Sequence, residues 1–293
     1  MTIKTIAIEP IRSLSQPGLP AELQALRAII IKEWRIFRRY PSWVIALLVW
    51  PVIFPAAYIL TGRALAGPDG SGLARFVQAT GVSDFLGYIA VGTTIWMWQN
   101  VVLWNVGFAM RNEQMRGTLE SNWLSPTWRF SHLLGSSLVQ LFTMMLFLVM
   151  SALEYGLLFG VHFEGNPALA LLVIAAAIPS IYGLGMAFAS LVITAKEANA
   201  FVYLARGFVM IFCGITFPVS ILPGWMQAFA QWLPQTYIIQ AMRQAALMGM
   251  DLQALLPSLT ALLWFGAFWV TTGFLFFNWM ERRTRRSGTL GHY

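Results

Sequence analysis

The residues able to do chemistry in this chain are few and spaced badly for catalysis. A phosphate-cradling loop needs Gly-x-x-x-x-Gly-Lys-Ser/Thr, and the three lysines, Lys4, Lys32 and Lys196, follow Ile3, Ile31 and Ala195. His132, His162 and His292 are too scattered for a His-Glu-x-x-His pair or a His/Cys cluster. Paired aspartates that would hold magnesium and a diphosphate are absent. Cys213 is the single cysteine; in an apolar stretch it reads as a small packed hydrophobe. What remains is a set of polar groups embedded in apolar sequence. Trp96, Gln99, Asn100, Trp104 and Asn105 share one run, and Asn199, Tyr203 and Arg206 form an i, i+4, i+7 stripe in another. Such groups need partners across a helix interface or along a pathway, so Trp96, Asn100, Trp104, Asn199, Tyr203 and Arg206 are pathway candidates. Arg206 reaching inward to headgroups suits its position equally. Glu154, near the end of a third run, is a candidate partner for Arg243.

The elements that must position these groups are apolar helices. The 293 residues are 58% hydrophobic and only 11% charged, where a soluble domain needs about a quarter charged residues to cover its surface. A soluble enzyme is excluded, and lipid must cover most of the chain. The basic residues sit beside apolar runs, so the net charge of +7 fits anionic lipid and membrane topology, with no nucleic acid partner. The expected fold is an all-α polytopic membrane protein with spans near residues 43–60, 85–110, 133–160, 167–193, 199–217 and 257–280, each close to the roughly 20 residues that cross a bilayer. Pro10, Pro17, Gly18 and Pro20 mark residues 1–20 as an irregular tail, with no cleaved signal segment. From Ala21, Leu23, Leu26, Ile30, Trp34 and Phe37 recur at helical spacing beside Arg27, Lys32, Arg35, Arg38 and Arg39, an amphipathic basic helix suited to the membrane surface that Tyr40 and Pro41 end. Residues 62–84 read as a polar loop. The division is a tail with surface helix over 1–42, a six-span domain over 43–280, and a basic tail over 281–293. With the N-terminus inside, 15 Lys and Arg fall in cytoplasmic segments against three outside, which places both ends in the cytoplasm. A Gly156-x-x-x-Gly160 pair is weak evidence for dimerisation in a chain with 24 glycines.

Two segments carry a resemblance. Glu113-Gln114-Met115-Arg116-Gly117-Thr118-Leu119-Glu120, followed by Leu124-Ser125-Pro126, resembles the Glu-x-x-x-Gly-Thr-Leu-Glu…Ser-Pro stretch of ABC-2 type ABC transporter permeases. Phe217-Pro218-Val219-Ser220-Ile221-Leu222-Pro223-Gly224-Trp225, then Leu233-Pro234-Gln235-Thr236-Tyr237 and Ala241-Met242-Arg243, is similar to that family's Pro-x-x-x-Leu-Pro-x-Trp…Asn-Pro…Arg signature, with Leu233 where asparagine is usual. Physically, Gly117 can end one helix while Ser125 and Pro126 open the next, leaving a short helix between. The prolines of the second segment break it into two short helices, and irregular backbone at membrane depth must be buried in protein or line a cavity.

The resemblance implies a membrane subunit working as a homodimer or with a paralogue, energised by two copies of a separate ATPase that would carry ATP and Mg, with no cofactor on this chain. It implies that the short helix docks on the ATPase through Glu113, Gly117, Thr118, Glu120, Ser125 and Pro126. It implies an outer gate of two re-entrant helices bearing Pro218, Leu222, Pro223, Trp225, Pro234 and Arg243. The Leu-Pro-Gly-Trp form is similar to drug-exporting members, which favours a hydrophobic drug or lipid-like substrate moved outward across the plasma (inner) membrane by alternating access. Export of a lipid-linked polysaccharide is the alternative, and a passive channel or membrane anchor is the alternative of another class.

Overall fold

The structure is a computed structural model that describes residues 19–65, 71–82, 84–124, 128–194 and 198–287. The expectations for residues 1–18, Ser125, Pro126 and the last six residues lie outside the described residues. All regular structure among the described residues is helical: α1 (Leu19–Arg39), α2 (Pro41–Leu65), α3 (Ser71–Thr80), α4 (Phe85–Asn105), α5 (Ala109–Met115), α6 (Leu119–Leu124), α7 (Phe130–Phe159), α8 (Pro167–Thr194), α9 (Ala198–Phe212), a single 3₁₀ turn (Val219–Ile221), α10 (Gly224–Ala230), α11 (Pro234–Ala246) and α12 (Leu252–Ser287). Three stretches, Phe130–Phe159, Pro167–Val192 and Leu252–Arg283, are long and apolar enough to cross a membrane.

The organising element is α4. Its side chains are buried on every face from Gly87 to Trp96 and again at Trp98, Gln99, Asn100, Val102 and Leu103, as expected of a helix that is apolar all round. Helices α2, α7, α8, α9 and α11 surround it. Asp84 opens α4 by accepting the Gly87 amide at 3.0 Å.

Three expected boundaries are corrected. The helix expected to run to Met110 breaks at Val106–Phe108, where the Gly107 amide donates to Val102 O, five residues back, and α5 restarts at Ala109. Within the expected loop 62–84, α2 continues to Leu65 and α3 forms, because Phe76 packs edge-on against Phe85 and Tyr88. The last helix starts at Leu252 and continues to Ser287 through the expected basic tail, held by Arg129 Nη1 on Glu281 Oε1 at 2.6 Å.

The most extensive helix contact joins α8 and α12, and glycine makes it possible. A Cβ on Gly183 would stand 2.6 Å from the Val270 backbone nitrogen, and one on Gly273 would stand 2.9 Å from Gly183 O. In an apolar solvent such close approach is a main source of helix association. The Gly156/Gly160 pair has a different role: Gly160, at φ +68°, ends α7, and a Cβ on Gly156 would make only an ordinary contact, 3.8 Å from Val161 O. Gly183→Leu should therefore lower the thermal midpoint measured in detergent, by the equivalent of about 1–3 kcal/mol of overpacking, and Gly156→Leu should leave it near wild type. Equal effects would refute the close α8–α12 contact.

Candidate coupling site and translocation path

At the end of the bundle carrying α1, α5 and α6, the residues converge on one carboxylate. Glu113 is buried on α5 and accepts Lys32 Nζ from α1 at 2.6 Å, Asn122 Nδ2 from α6 at 2.8 Å, and the Thr118 hydroxyl. Gly117, at φ +69°, makes the turn that brings α6 back over α5, a conformation glycine adopts without the Cβ clash. Helix α1 is fastened a second time by Glu22, whose carboxylate accepts the Trp128 amide at 2.7 Å and the Ser131 hydroxyl at 3.0 Å, at the start of α7. Between these points Gly135 of α7 admits Ile29, and Trp34 meets Phe142 edge-on at 5.4 Å.

Burial alone would raise the Glu113 carboxyl, but hydrogen bonds from Lys32 and Thr118 and the charges of Lys32 and Arg116 hold it below the ordinary carboxylate value. Burial alone would lower the Lys32 ammonium, but its hydrogen bond to Glu113 and the Glu33 and Glu113 charges hold it above the ordinary lysine value.

At the opposite end, Arg243 of α11 is buried, and among the described residues no carboxylate pairs with it. Its Nη1 donates to Gly214 O at 2.8 Å, Nη2 to Ile215 O at 2.8 Å and to Tyr88 O at 3.0 Å, and Nε to Tyr88 O at 3.3 Å. The guanidinium lies over the Tyr88 ring. Those carbonyls include two just past the end of α9, which have no intrahelical partner. Gly92 leaves the necessary room: a Cβ there would come 2.7 Å from Nη2. A second bond between α11 and α4 runs from Gln235 Nε2 to Gln99 Oε1 at 2.8 Å, both residues buried. The Glu154–Arg243 pairing does not form, because the carbonyls occupy the guanidinium and the Glu154 Oε2 atom is buried without a hydrogen bond.

Midway, α4 meets α9. Trp96 stacks on Phe54 with centroids 4.6 Å apart and donates Nε1 to Arg206 O at 3.2 Å. The Arg206 guanidinium lies 5.2 Å from the Trp96 ring and 5.7 Å from the Tyr203 ring, and Trp104 meets Tyr203 edge-on at 5.8 Å. Asn100 is buried and neither atom of its amide has a hydrogen-bond partner.

A family model described as ABC-2 family transporter protein matches residues 71–275. The chain belongs to the ABC-2 transporter family. A search of curated proteins finds no match. Permeases of this family are membrane transport components whose ATP hydrolysis lies on separate subunits. The match contains Glu113, Thr118 and Asn122, α9, and the segment from Pro218 to Arg243, and leaves α1, with Lys32, and α2 outside.

Within the permease, sequence-chosen residues divide into three groups. Glu113, Thr118 and Gly117 come together; Glu120 lies on α6. Pro218 precedes the 3₁₀ turn, Leu222 and Pro223 follow it, exposed Trp225 starts α10 against Phe212, and buried Pro234 opens α11, so only Arg243 of this set reaches the α4 backbone. Trp96, Tyr203, Arg206 and Trp104 form one cluster, while Asn199 is exposed at the start of α9. Sequence reasoning missed Lys32, Glu22, Tyr88 and Gln99 as partners. Lys32 and Glu113 are 81 positions apart, and a basic surface helix contains nothing local that distinguishes the one lysine with a carboxylate waiting.

Arg243→Lys, which cannot reach three carbonyls, and Gly92→Ala, which displaces the guanidinium, should each destabilise the permease by about 2–3 kcal/mol, the scale of losing charge-assisted hydrogen bonds, read as a lower thermal midpoint; unchanged melting in both would refute the hub. The Lys32–Glu113 contribution is fully present above the ordinary carboxylate value and is lost as pH falls through the depressed Glu113 value. It is fully present below the ordinary lysine value and is lost as pH rises through the elevated Lys32 value. Protease protection of α1 should be flat between those limits, and Glu113→Gln should remove the acid-side loss.

Proposed function

We propose that this permease is the membrane subunit of an ATP-driven exporter that moves a hydrophobic drug or lipid-like molecule outward. On this reading α2, α4, α7, α8, α9 and α12 are the six spans, both termini are cytoplasmic, and α1 lies on the inner surface of the plasma membrane. The excess of 15 basic residues over three across the assigned compartments supports that orientation. Two copies of the permease, or one with a paralogue, work with two ATPase subunits.

The observation that carries the mechanism is the Glu113 cluster. The segment resembling the ATPase-docking stretch is bonded to α1 and is continuous, through α5 and the break at 106–108, with the most buried helix of the bundle. A displacement of α6 by the ATPase is therefore delivered to α1 and α4 together. Helix α9 leaves Tyr203, Leu204, Phe208 and Ile211 exposed on one molecule, an aromatic-rich face suited to an apolar substrate or to the second copy. At the far end, the α10–α11 segment closes the bundle through Arg243.

Gly117→Val forces a β-branched residue into positive φ, a cost of about 1–2 kcal/mol, and misdirects α6. With the full complex in vesicles, this variant should insert normally yet lose ATP-dependent transport. Wild-type transport would remove residues 113–126 from the mechanism. Substrate or ion flux without ATP in the wild-type complex would instead favour a passive channel.

A further inference from the structure

A groove of about 360 Å³ separates α1 from the bundle, walled by α1, α2, α4, α5 and α7. Its lining is mostly polar at one end and apolar at the other, with Val139, Ala109 and Met110 interspersed among the polar positions. Along α7 the lining passes from His132 and Ser136 through Gln140 and Thr143 to Met144 and Phe147. Along α4 and α5 it passes from Met97 and Val101 through Asn105 to Asn112 and Arg116. Lys32 and Glu33 of α1 stand at the polar end, and Trp50 of α2 also lines the wall. His132 to Phe147 spans 15 helical residues, about 22 Å at 1.5 Å each, and half of a bilayer with its headgroups is about 20–22 Å. The two ends of the groove thus match the headgroup and acyl regions of one leaflet.

We propose that this groove binds one phospholipid of the cytoplasmic leaflet, with an acyl chain between Met97, Val101 and Phe147 and the phosphate beside Arg116 and His132. The volume lies in the range of small-ligand pockets, about 300–1,000 Å³, room for one chain while the other stays in the bilayer. The rim is zwitterionic: Lys32 is held between Glu113 at 2.6 Å and Glu33 at 3.2 Å, so Arg116, which is exposed, supplies the positive charge for the phosphate and the Glu33 carboxylate faces the headgroup amine. Because Lys32 and Glu113 both line the groove, the bound lipid braces α1 against α5 and makes coupling sensitive to leaflet composition. The site lies on the α1–α2–α7 side of α4, away from the Trp96–Arg206 contact with α9. The inference rests on the proposed membrane orientation.

The test uses the full-length chain in nanodiscs containing phosphatidylethanolamine with a photoreactive diazirine on one acyl chain, and maps adducts by mass spectrometry. Adducts at Met97, Val101 and Phe147 should exceed those at Leu146, which is at the same depth on the exposed face of α7. Ser136→Trp, which fills the groove, should reduce groove labelling about tenfold, the effect of about 1.4 kcal/mol, and spare Leu146. Arg116→Glu, at an exposed position, should reduce groove labelling by the phospholipid while labelling by a diazirine fatty alcohol is unchanged. Groove labelling no greater than at Leu146, or insensitive to Ser136→Trp, would overturn the site with the membrane reading intact. Equal labelling by the fatty alcohol in the wild type would overturn the phosphate assignment. No labelling on either face of α7 would overturn both the site and the membrane orientation.

Discussion

The carboxylate of Glu113 is the point on which the α1–α5–α6 end of the bundle depends, because three separate pieces of chain reach it. An ionised carboxylate taken out of water is costly unless its lone pairs are used, and here an ammonium, an amide and a hydroxyl use them. Each donor comes from a segment with its own motion to make: α1, the turn after Gly117, and α6. None of the three can shift far without uncovering the charge. A short helix of six residues has little stability of its own, so α6 derives its orientation from this cluster and the Gly117 turn.

The opposite end solves the same problem with the sign reversed. Where α9 stops at Phe212 and the chain turns at Gly214, backbone carbonyls are left over in a buried place, and irregular backbone in an apolar environment survives only when its polar groups are satisfied internally. Arg243 supplies the donors, and Gly92 supplies the space. The two hubs differ in solvent access. Lys32 keeps 40% of its side chain exposed, whereas Arg243 is 7% exposed. The Glu113 end is therefore the one that water and salt can loosen, and the α11 end is the fixed one, a division that suits the proposed coupling at one end and the proposed seal at the other.

What the sequence made legible follows the range of the forces involved. Helices α1, α7, α8 and α12 are visible because apolar runs and their interruptions are local, as is the turn at Gly117. The break at 106–108 was invisible, since Gly107 sits in apolar sequence with no proline or polar cluster to mark it. Helix α3 was missed because its glycine-flanked stretch folds against Phe85 and Tyr88, a tertiary effect. The hubs were half legible. Glu113 and Arg243 could be picked out by resemblance, but Lys32 and the carbonyl partners could not, since carbonyls carry no sequence signal and Lys32 lies outside the matched family region.

Arg206 shows how the proposed path and the proposed dimer constrain each other. Its guanidinium lies near two aromatic rings, and its Nε is buried without a hydrogen bond, so the cation is held by the negative faces of Trp96 and Tyr203. Tyr203 is itself 60% exposed, on the same helix as the exposed Leu204 and Phe208. Whatever covers α9, substrate or a second copy, therefore also desolvates this cation and strengthens its attraction to the rings. Occupancy of the α9 face and the position of Arg206 are thereby coupled. Since Trp96 is on α4 and its indole is bonded to the Arg206 carbonyl, the consequence passes directly to the helix that α5 and Glu113 continue.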